Sequence, residues 1–245
     1  MNRNHLKLIA CAAMLLDHMG LLLFPGVLAL RMIGRVAMPL FAFFIGEGCR
    51  YTKNRKKYFL SVFLLGVGCQ LIYIVDALIE TGGAAITSDA WYLNILLCFS
   101  VAIPGGYLLR DVSAADRKNA PVPVGKFVCL LLWAAALTAG GVLLPLAREH
   151  FGWGLEFDYG VWAILLCVAG MPFETKEMKL LAFSAVLLLY CAVSYRAYPI
   201  VWCALLSLPL LFLYNGEAGA KRFKYAFYIF YPAHLGILYL VSLLF

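Results

Sequence analysis

Charge is what this 245-residue sequence has least of. Asp, Glu, Lys and Arg together make up 13% of it, about half the share of an ordinary soluble domain. So few charges cannot cover a water-facing surface, which excludes a soluble globular chain. Acids are scarcer than bases, 13 against 20, and the net charge is +7. In a chain this apolar that excess reflects membrane topology rather than nucleic-acid binding. No C-x-x-C occurs. Cys11, Cys49, Cys69, Cys98, Cys129, Cys167, Cys191 and Cys203 fall singly in or at the ends of apolar runs. That scatter excludes zinc-ligand spacing, and they read as small hydrophobes with no metal expected. There is no internal repeat, low-complexity stretch or soluble insertion. The expectation is one domain spanning residues 1–245.

What the sequence has in abundance is hydrocarbon. Hydrophobic residues fill 64% of the positions, and apolar runs of about 17–25 residues can cross a bilayer as helices. Nine are readable: 6–24, 27–48, 58–79, 91–109, 127–147, 157–172, 179–195, 198–214 and 225–245. The sixth is short and the eighth is interrupted by Pro209. None alternates as a barrel strand does, and in lipid only helices and closed barrels satisfy their backbone groups. The predicted fold is an all-α integral membrane protein, a polytopic helical bundle of about nine spans, within a range of eight to ten.

The cations support that count. With the N-terminus in the cytoplasm, the inner segments hold 16 of the 20 Lys and Arg, and the outer loops hold only Arg148 and Arg196. Such asymmetry predicts a cell-membrane protein with its N-terminus inside and its C-terminus outside. The first run is too long for a signal core and is broken by Asp17-His18 with no A-x-A-like site after it, so it reads as a retained span. The polar stretch "RDVSAADRKNAPVPVGK" (110–126) reads as a loop.

Ionisable residues inside the spans carry the functional information, because each is costly at membrane depth. His5 and His150 read as surface residues; His18 and His234 lie well inside the first and last runs. His18 follows Lys7 by eleven residues, ~16 Å along a helix, and His234 follows Lys224 by ten, ~15 Å. Both imidazoles are therefore expected at one depth. Asp17 and Arg35 each stand nine residues from Gly26 in the turn "FPGV", so an ion pair between them would explain both charges without chemistry. Asp17 and His18 are adjacent and point about 100° apart, which disfavours a bond between them. Arg31 shares a helix face with Arg35 and is placed to reach the outer interface by snorkelling. Glu47 is near the inner end, with Arg50 or Lys57 as candidate partners. Pro39 is expected to bend the second run. The stretch "CRYTKNRKKY" (49–58) carries Arg50, Lys53, Arg55, Lys56 and Lys57. Its two readings are a topological patch against membrane lipid and a phosphate clamp.

Three segments, "LKLIACAAMLLDHMG", "LRMIGRVAMPLFAFFIGEGCRYTKNRKKYF" and "FYIFYPAHLGILYLV", resemble those of the TraX family, named for the pilin-acetylating protein of conjugative plasmids. The resemblance lies in the first quarter of the chain and its last helix. TraX proteins are in turn similar to the broader transmembrane acyltransferases, which carry a basic residue, ten intervening positions and a catalytic histidine on their first helix. Lys7 and His18 keep that spacing, with Lys for the commoner Arg. The R-x-x-R that follows an F-F-x-x-x-G stretch in those enzymes is replaced here by the cluster after "FFIGEG".

The resemblance implies acyl transfer from acyl-CoA, chiefly acetyl-CoA, with no metal. His18 would be the general base, assisted by His234, Arg35 and Asp17. Lys7, Arg50, Lys53, Arg55, Lys56 and Lys57 would hold the donor's phosphates, and Arg31 and Glu47 would meet the acceptor. That acceptor would be a protein N-terminus, a sugar, or a small amine or alcohol. Two other classes fit the same charges: a carrier with ionisable residues at the midplane, and a non-catalytic membrane subunit whose charges are all structural.

Overall fold

The computed structural model describes residues 1–81, 92–118, 120–151, 155–220 and 224–244. Lys221 and Arg222, counted above among the cations, and Trp91 and Phe245 at the ends of two apolar runs lie outside the described residues. The chain is helical almost throughout: α1 (Arg3–Leu22), α2 (Leu28–Gly34), α3 (Ala37–Tyr51), α4 (Arg55–Glu80), α5 (Ile95–Arg117), α6 (Val124–Phe151), α7 (Gly160–Val168), α8 (Lys176–Ser194), a 3-10 segment (Pro199–Leu206), α9 (Ser207–Phe212) and α10 (Lys224–Ser242). One short parallel pair joins β1 (Tyr92–Leu93) to β2 (Glu156–Phe157), in the register Tyr92 to Glu156. The Tyr92 hydroxyl in this connection donates to the Asp158 carboxylate at 3.1 Å.

Among the described residues six helices are long and apolar enough to cross a membrane, with α2 and α3 counted as one. They correspond to the first five apolar runs and the seventh. The eighth and ninth runs give shorter apolar helices, Pro199–Phe212 and Ala226–Ser242, and the sixth gives only the nine residues of α7. Two boundaries differ from those expected. The second run is interrupted at Arg35 and Val36, not at Pro39; Pro39 falls in the first turn of α3, where its missing N–H breaks no helical bond. The stretch 110–126 is only partly a loop: α5 continues to Arg117 and α6 begins at Val124. Arg110, Asp111, Arg117 and Lys126 in this stretch make ion pairs, which local composition does not reveal.

Asparagines start three of the helices. Asn2, Asn54 and Asn94 accept from the backbone N–H groups of His5, Lys57, and Leu96 with Leu97, satisfying donors that the first turn leaves open. Asn94, almost fully buried, also donates to the Gly66 carbonyl at 2.8 Å and to Gln70 at 2.9 Å. The buried side chain of Asn94 thus spends both its oxygen and its nitrogen in hydrogen bonds at a helix start.

Two compact units are present. The first comprises Met1–Phe44 and Leu180–Phe245, the second Ile45–Lys179. In the first, α1 packs against α2 and α10, and α2 against the 3-10 segment. Its core includes Leu6, Leu40, Phe183, Leu187 and Leu211, with Phe43, Phe44, Phe183 and Tyr214 meeting edge to face at 5.6–6.1 Å. In the second, α5 is central, contacting α4, α6 and α7. α6 buries only Leu137 and exposes Phe127, Leu131, Leu132, Val142 and Leu143. An apolar helix with no buried stripe fits hydrocarbon as its solvent.

Candidate functional site

The first unit holds six of the residues singled out in the sequence: Lys7, Asp17, His18, Arg31, Arg35 and His234. α1 and α2 lie close because glycine stands where their backbones meet. A Cβ on Gly34 would lie 2.2 Å from the Asp17 carboxylate oxygen Oδ1, and one on Gly20 would lie 2.9 Å from the Leu30 Cβ. Small residues at such crossings are how helices approach in lipid. Into that gap Asp17, 8% exposed, directs its carboxylate. Arg35 Nη2 donates to Oδ1 at 2.6 Å and to Oδ2 at 2.7 Å. Arg31 Nη1 donates to Oδ2 at 2.8 Å and to the Asp17 carbonyl at 3.1 Å. The pair inferred from equal depth is therefore formed, and a second arginine joins it.

Arg31 does not snorkel outward. One turn before Arg35 on the same face, it finds a carboxylate with unused oxygen lone pairs, and its Nη2 donates to the Tyr198 hydroxyl at 3.1 Å. The Arg35 guanidinium also lies over the Tyr198 ring at 5.5 Å. Tyr198 precedes the 3-10 segment, far away in the chain, and nothing in the sequence marks it.

One residue beyond Asp17, His18 faces another helix. Its Nδ1 lies 3.1 Å from His234 Nε2, and the ring centroids are 5.0 Å apart. His18 Nδ1 is also 3.0 Å from the Met14 carbonyl, and His234 Nδ1 is 2.9 Å from the Phe230 carbonyl. These carbonyls determine the tautomers of the neutral pair. A carbonyl oxygen only accepts, so His234 Nδ1 carries its proton and His234 Nε2 presents a lone pair. His18 Nδ1 must then be the donor to that lone pair. The proton-free nitrogen of His18 is Nε2, for which no hydrogen bond occurs among the described residues. A lone pair is thereby left bare on a ring whose orientation is fixed from behind. Stacking of His234 on Phe230 at 4.9 Å, and Tyr231 at its edge, fixes the second ring. Lys7 lies in the same unit with its ammonium over the rings of Phe44 and Phe227, at 5.9 and 5.4 Å.

The remaining candidates belong to the second unit. Glu47, 6% exposed, pairs with Lys179 at 3.3 Å rather than with Arg50 or Lys57. Lys179, one of the cations of the inner segments, lies in α8 and is nearly as buried. Arg50 is directed to Glu174 at 2.8 Å and to the carbonyls of Gly170, Met171 and Phe173. Arg55 grips Asp111 through both terminal nitrogens, at 2.8 and 2.7 Å. Lys53, Lys56 and Lys57 make no side-chain ion pair among the described residues. The basic stretch is thus divided between anchored arginines and free lysines. In this unit Asp111, Glu174 and Lys179 are what sequence reasoning missed: Asp111 lies within α5, Glu174 just before α8 and Lys179 in its first turn, and no local pattern pairs them with distant partners. No group of three or more His, Cys, Asp or Glu side chains arranged to hold a metal occurs among the described residues.

The TraX family profile, described as TraX protein, matches residues 2–242. A probable fimbrial assembly protein FimC, serogroup H1, of Dichelobacter nodosus is 30% identical over 251 residues, covering 95% of this chain and 92% of that protein. The uncharacterized protein RP591 of Rickettsia prowazekii (strain Madrid E) is 54% identical over 183 residues, 74% of this chain and 60% of its own length. No solved structure matches. With its apolar helices and a profile match over nearly its whole length, the chain is a multi-pass membrane protein and belongs to the TraX family.

Proposed function

We propose that this chain is a membrane-embedded acyltransferase that moves an acyl group, chiefly acetyl, from acyl-CoA to an amine or hydroxyl. The observation that carries the reading is the His18–His234 pair, which leaves His18 Nε2 unprotonated and ready to accept a proton. An acceptor N–H or O–H gives its proton to Nε2 as its nitrogen or oxygen attacks the thioester carbonyl carbon. The tetrahedral intermediate then breaks its C–S bond, and the departing coenzyme A thiolate takes the proton back from Nε2. His234 holds the His18 ring and shares the charge that His18 gains. Asp17, Arg31 and Arg35 act as positioning residues: they fix α1 against α2 and set the field beside the base.

The fimbrial assembly name of a relative that covers almost the whole chain favours a pilus subunit's amine as acceptor, ahead of a sugar or small alcohol. The orientation is the one the cations give, with the N-terminus inside a cell membrane and the donor entering from the cytoplasm.

The test is transfer of labelled acetyl from acetyl-CoA in membranes that contain the chain and the cell's own acceptors, read together with release of free coenzyme A. The wild type should show both, and His18→Ala should lower the rate by about 10²–10⁴-fold without loss of folded protein. Transfer at the wild-type rate by a folded His18→Ala chain, or none by the wild type, would overturn the proposal.

A further inference from the structure

At the junction of α4, α5 and α6 in the second unit, cations outnumber the acids that hold them. Asp111 is shared by Arg55, by Lys126 at 2.8 Å and by Arg110 at 3.6 Å. Glu174 is shared by Arg50 and by Arg117 at 2.7 Å. Five cations thus meet two carboxylates, an excess of three positive charges. The two groups are joined through backbone, since Arg110 Nη1 donates to the carbonyls of Cys49 at 2.9 Å and Arg50 at 3.2 Å. Tyr107 lies among them. The Arg55 and Arg110 guanidiniums stand 4.8 and 5.3 Å from the centre of its ring, and the residue is only 6% exposed.

Among the described residues, two polar atoms in this cluster are buried without a partner: the Tyr107 hydroxyl and Arg50 Nε. A buried polar group left unpaired costs stability, so each such group in a folded protein calls for an explanation. Both can donate a hydrogen bond. Unused donors beside an uncancelled positive charge are complementary to a ligand that only accepts and carries several negative charges. A phosphate or diphosphate is such a ligand, and guanidiniums bind it by charge-assisted, often bidentate hydrogen bonds.

We propose that Tyr107, Arg50, Arg55, Arg110, Arg117 and Lys126 form a binding site for a diphosphate-class anion. The site stands on its own residues. Assigning its phosphates to the nucleotide end of the acyl donor rests on the acyltransferase reading; the other source of the same chemistry is an acidic lipid headgroup. Of the cations near the start of α4, the site uses Arg50 and Arg55, and it leaves Lys53, Lys56 and Lys57 to the solvent. Its other members come from α5 and from the first turn of α6.

The experiment titrates the full-length protein with inorganic pyrophosphate, in detergent and in discs of uncharged phosphatidylcholine, following thermal unfolding and calorimetric heat. Saturable binding that weakens with added salt is expected. Tyr107→Phe should weaken it about tenfold or more while leaving the unfolding temperature without ligand unchanged or slightly raised, because an unpaired hydroxyl has been removed. Arg110→Gln should weaken it further.

Native mass spectrometry of protein taken from its own membrane separates the sources. An acidic phospholipid retained by the wild type, lost in Tyr107→Phe and displaced by pyrophosphate supports the site with lipid as its occupant. A raised KM for acetyl-CoA in Tyr107→Phe supports it with the donor as occupant. Pyrophosphate binding without any coenzyme A release upholds the site and rejects the acyltransferase reading. His18-dependent acetyl transfer with neither pyrophosphate nor acidic lipid bound does the reverse. Binding of equal strength in wild type, Tyr107→Phe and Arg110→Gln would overturn the site.

Discussion

Asp17 is the residue on which the first unit's polar cluster depends, since both arginine side chains donate to its carboxylate. Replacing it by asparagine leaves two guanidiniums at membrane depth with no counter-charge. Removing one partner of a buried pair costs about 3–5 kcal/mol, and Asp17→Asn should show that loss in unfolding by denaturant from detergent micelles. Gly34→Ala tests the same place by volume instead of charge. Its added Cβ would meet Asp17 side-chain atoms at 2.2–2.5 Å, so α1 and α2 must separate, at about 1–3 kcal/mol. On the proposed acyltransferase function, both variants should also lower transfer activity by displacing His18. At this scale much was legible. Counting outward from the turn paired Asp17 with Arg35, and counting inward from the helix starts put His18 and His234 at one depth. Arg31's inward turn and Tyr198's part in the cluster were not legible, because each depends on which way a neighbouring helix is rotated.

Among the elements, the Glu47–Lys179 pair links α3 to α8 across a long stretch of sequence. Near it α3 comes very close to α7: a Cβ on Gly46 would lie 2.4 Å from the Cys167 carbonyl oxygen. A buried ion pair so placed contributes more to register than to net stability. Glu47→Gln or Lys179→Met alone should destabilise by about 3–5 kcal/mol, whereas the double change to apolar residues of similar size should be near neutral. A double-mutant cycle on unfolding free energy checks this, and additive single effects would show that the two side chains do not interact. Helix existence was readable from the apolar runs, and the weakness of the sixth and eighth runs was visible in their length and Pro209. The interruption at Arg35 and Val36 was not, since a proline three residues later offered a more obvious cause. Glu47's partner was hidden too, for a cation 132 positions away competes with nearer ones only once α8 packs.

For the molecule as a whole, orientation is the property that charge controls most directly. If the N-terminus is inside and all the apolar runs between them cross, as the cation distribution predicts, Lys53 and Arg196 should fall on opposite sides of the membrane. Single cysteines at those positions, in a chain with Cys129 removed, should react with an impermeant maleimide from opposite sides: position 196 in intact cells, and position 53 only in inverted vesicles. Labelling of both from one side would refute the topology.

Composition and spacing alone determined that this chain is helical, lives in a membrane and carries two histidines and an acid–base pair at matching depths. Those properties follow from hydropathy and from the fixed rise of a helix, both local and one-dimensional. Tertiary structure decided which partner each charge takes: Arg31 joining Asp17, Lys179 answering Glu47, and Asp111 shared by three cations. Such choices depend on how helices rotate and cross, and in a nearly uniform apolar sequence many rotations bury equal area. Only close packing at glycines and the cost of an unpaired charge in hydrocarbon select among them.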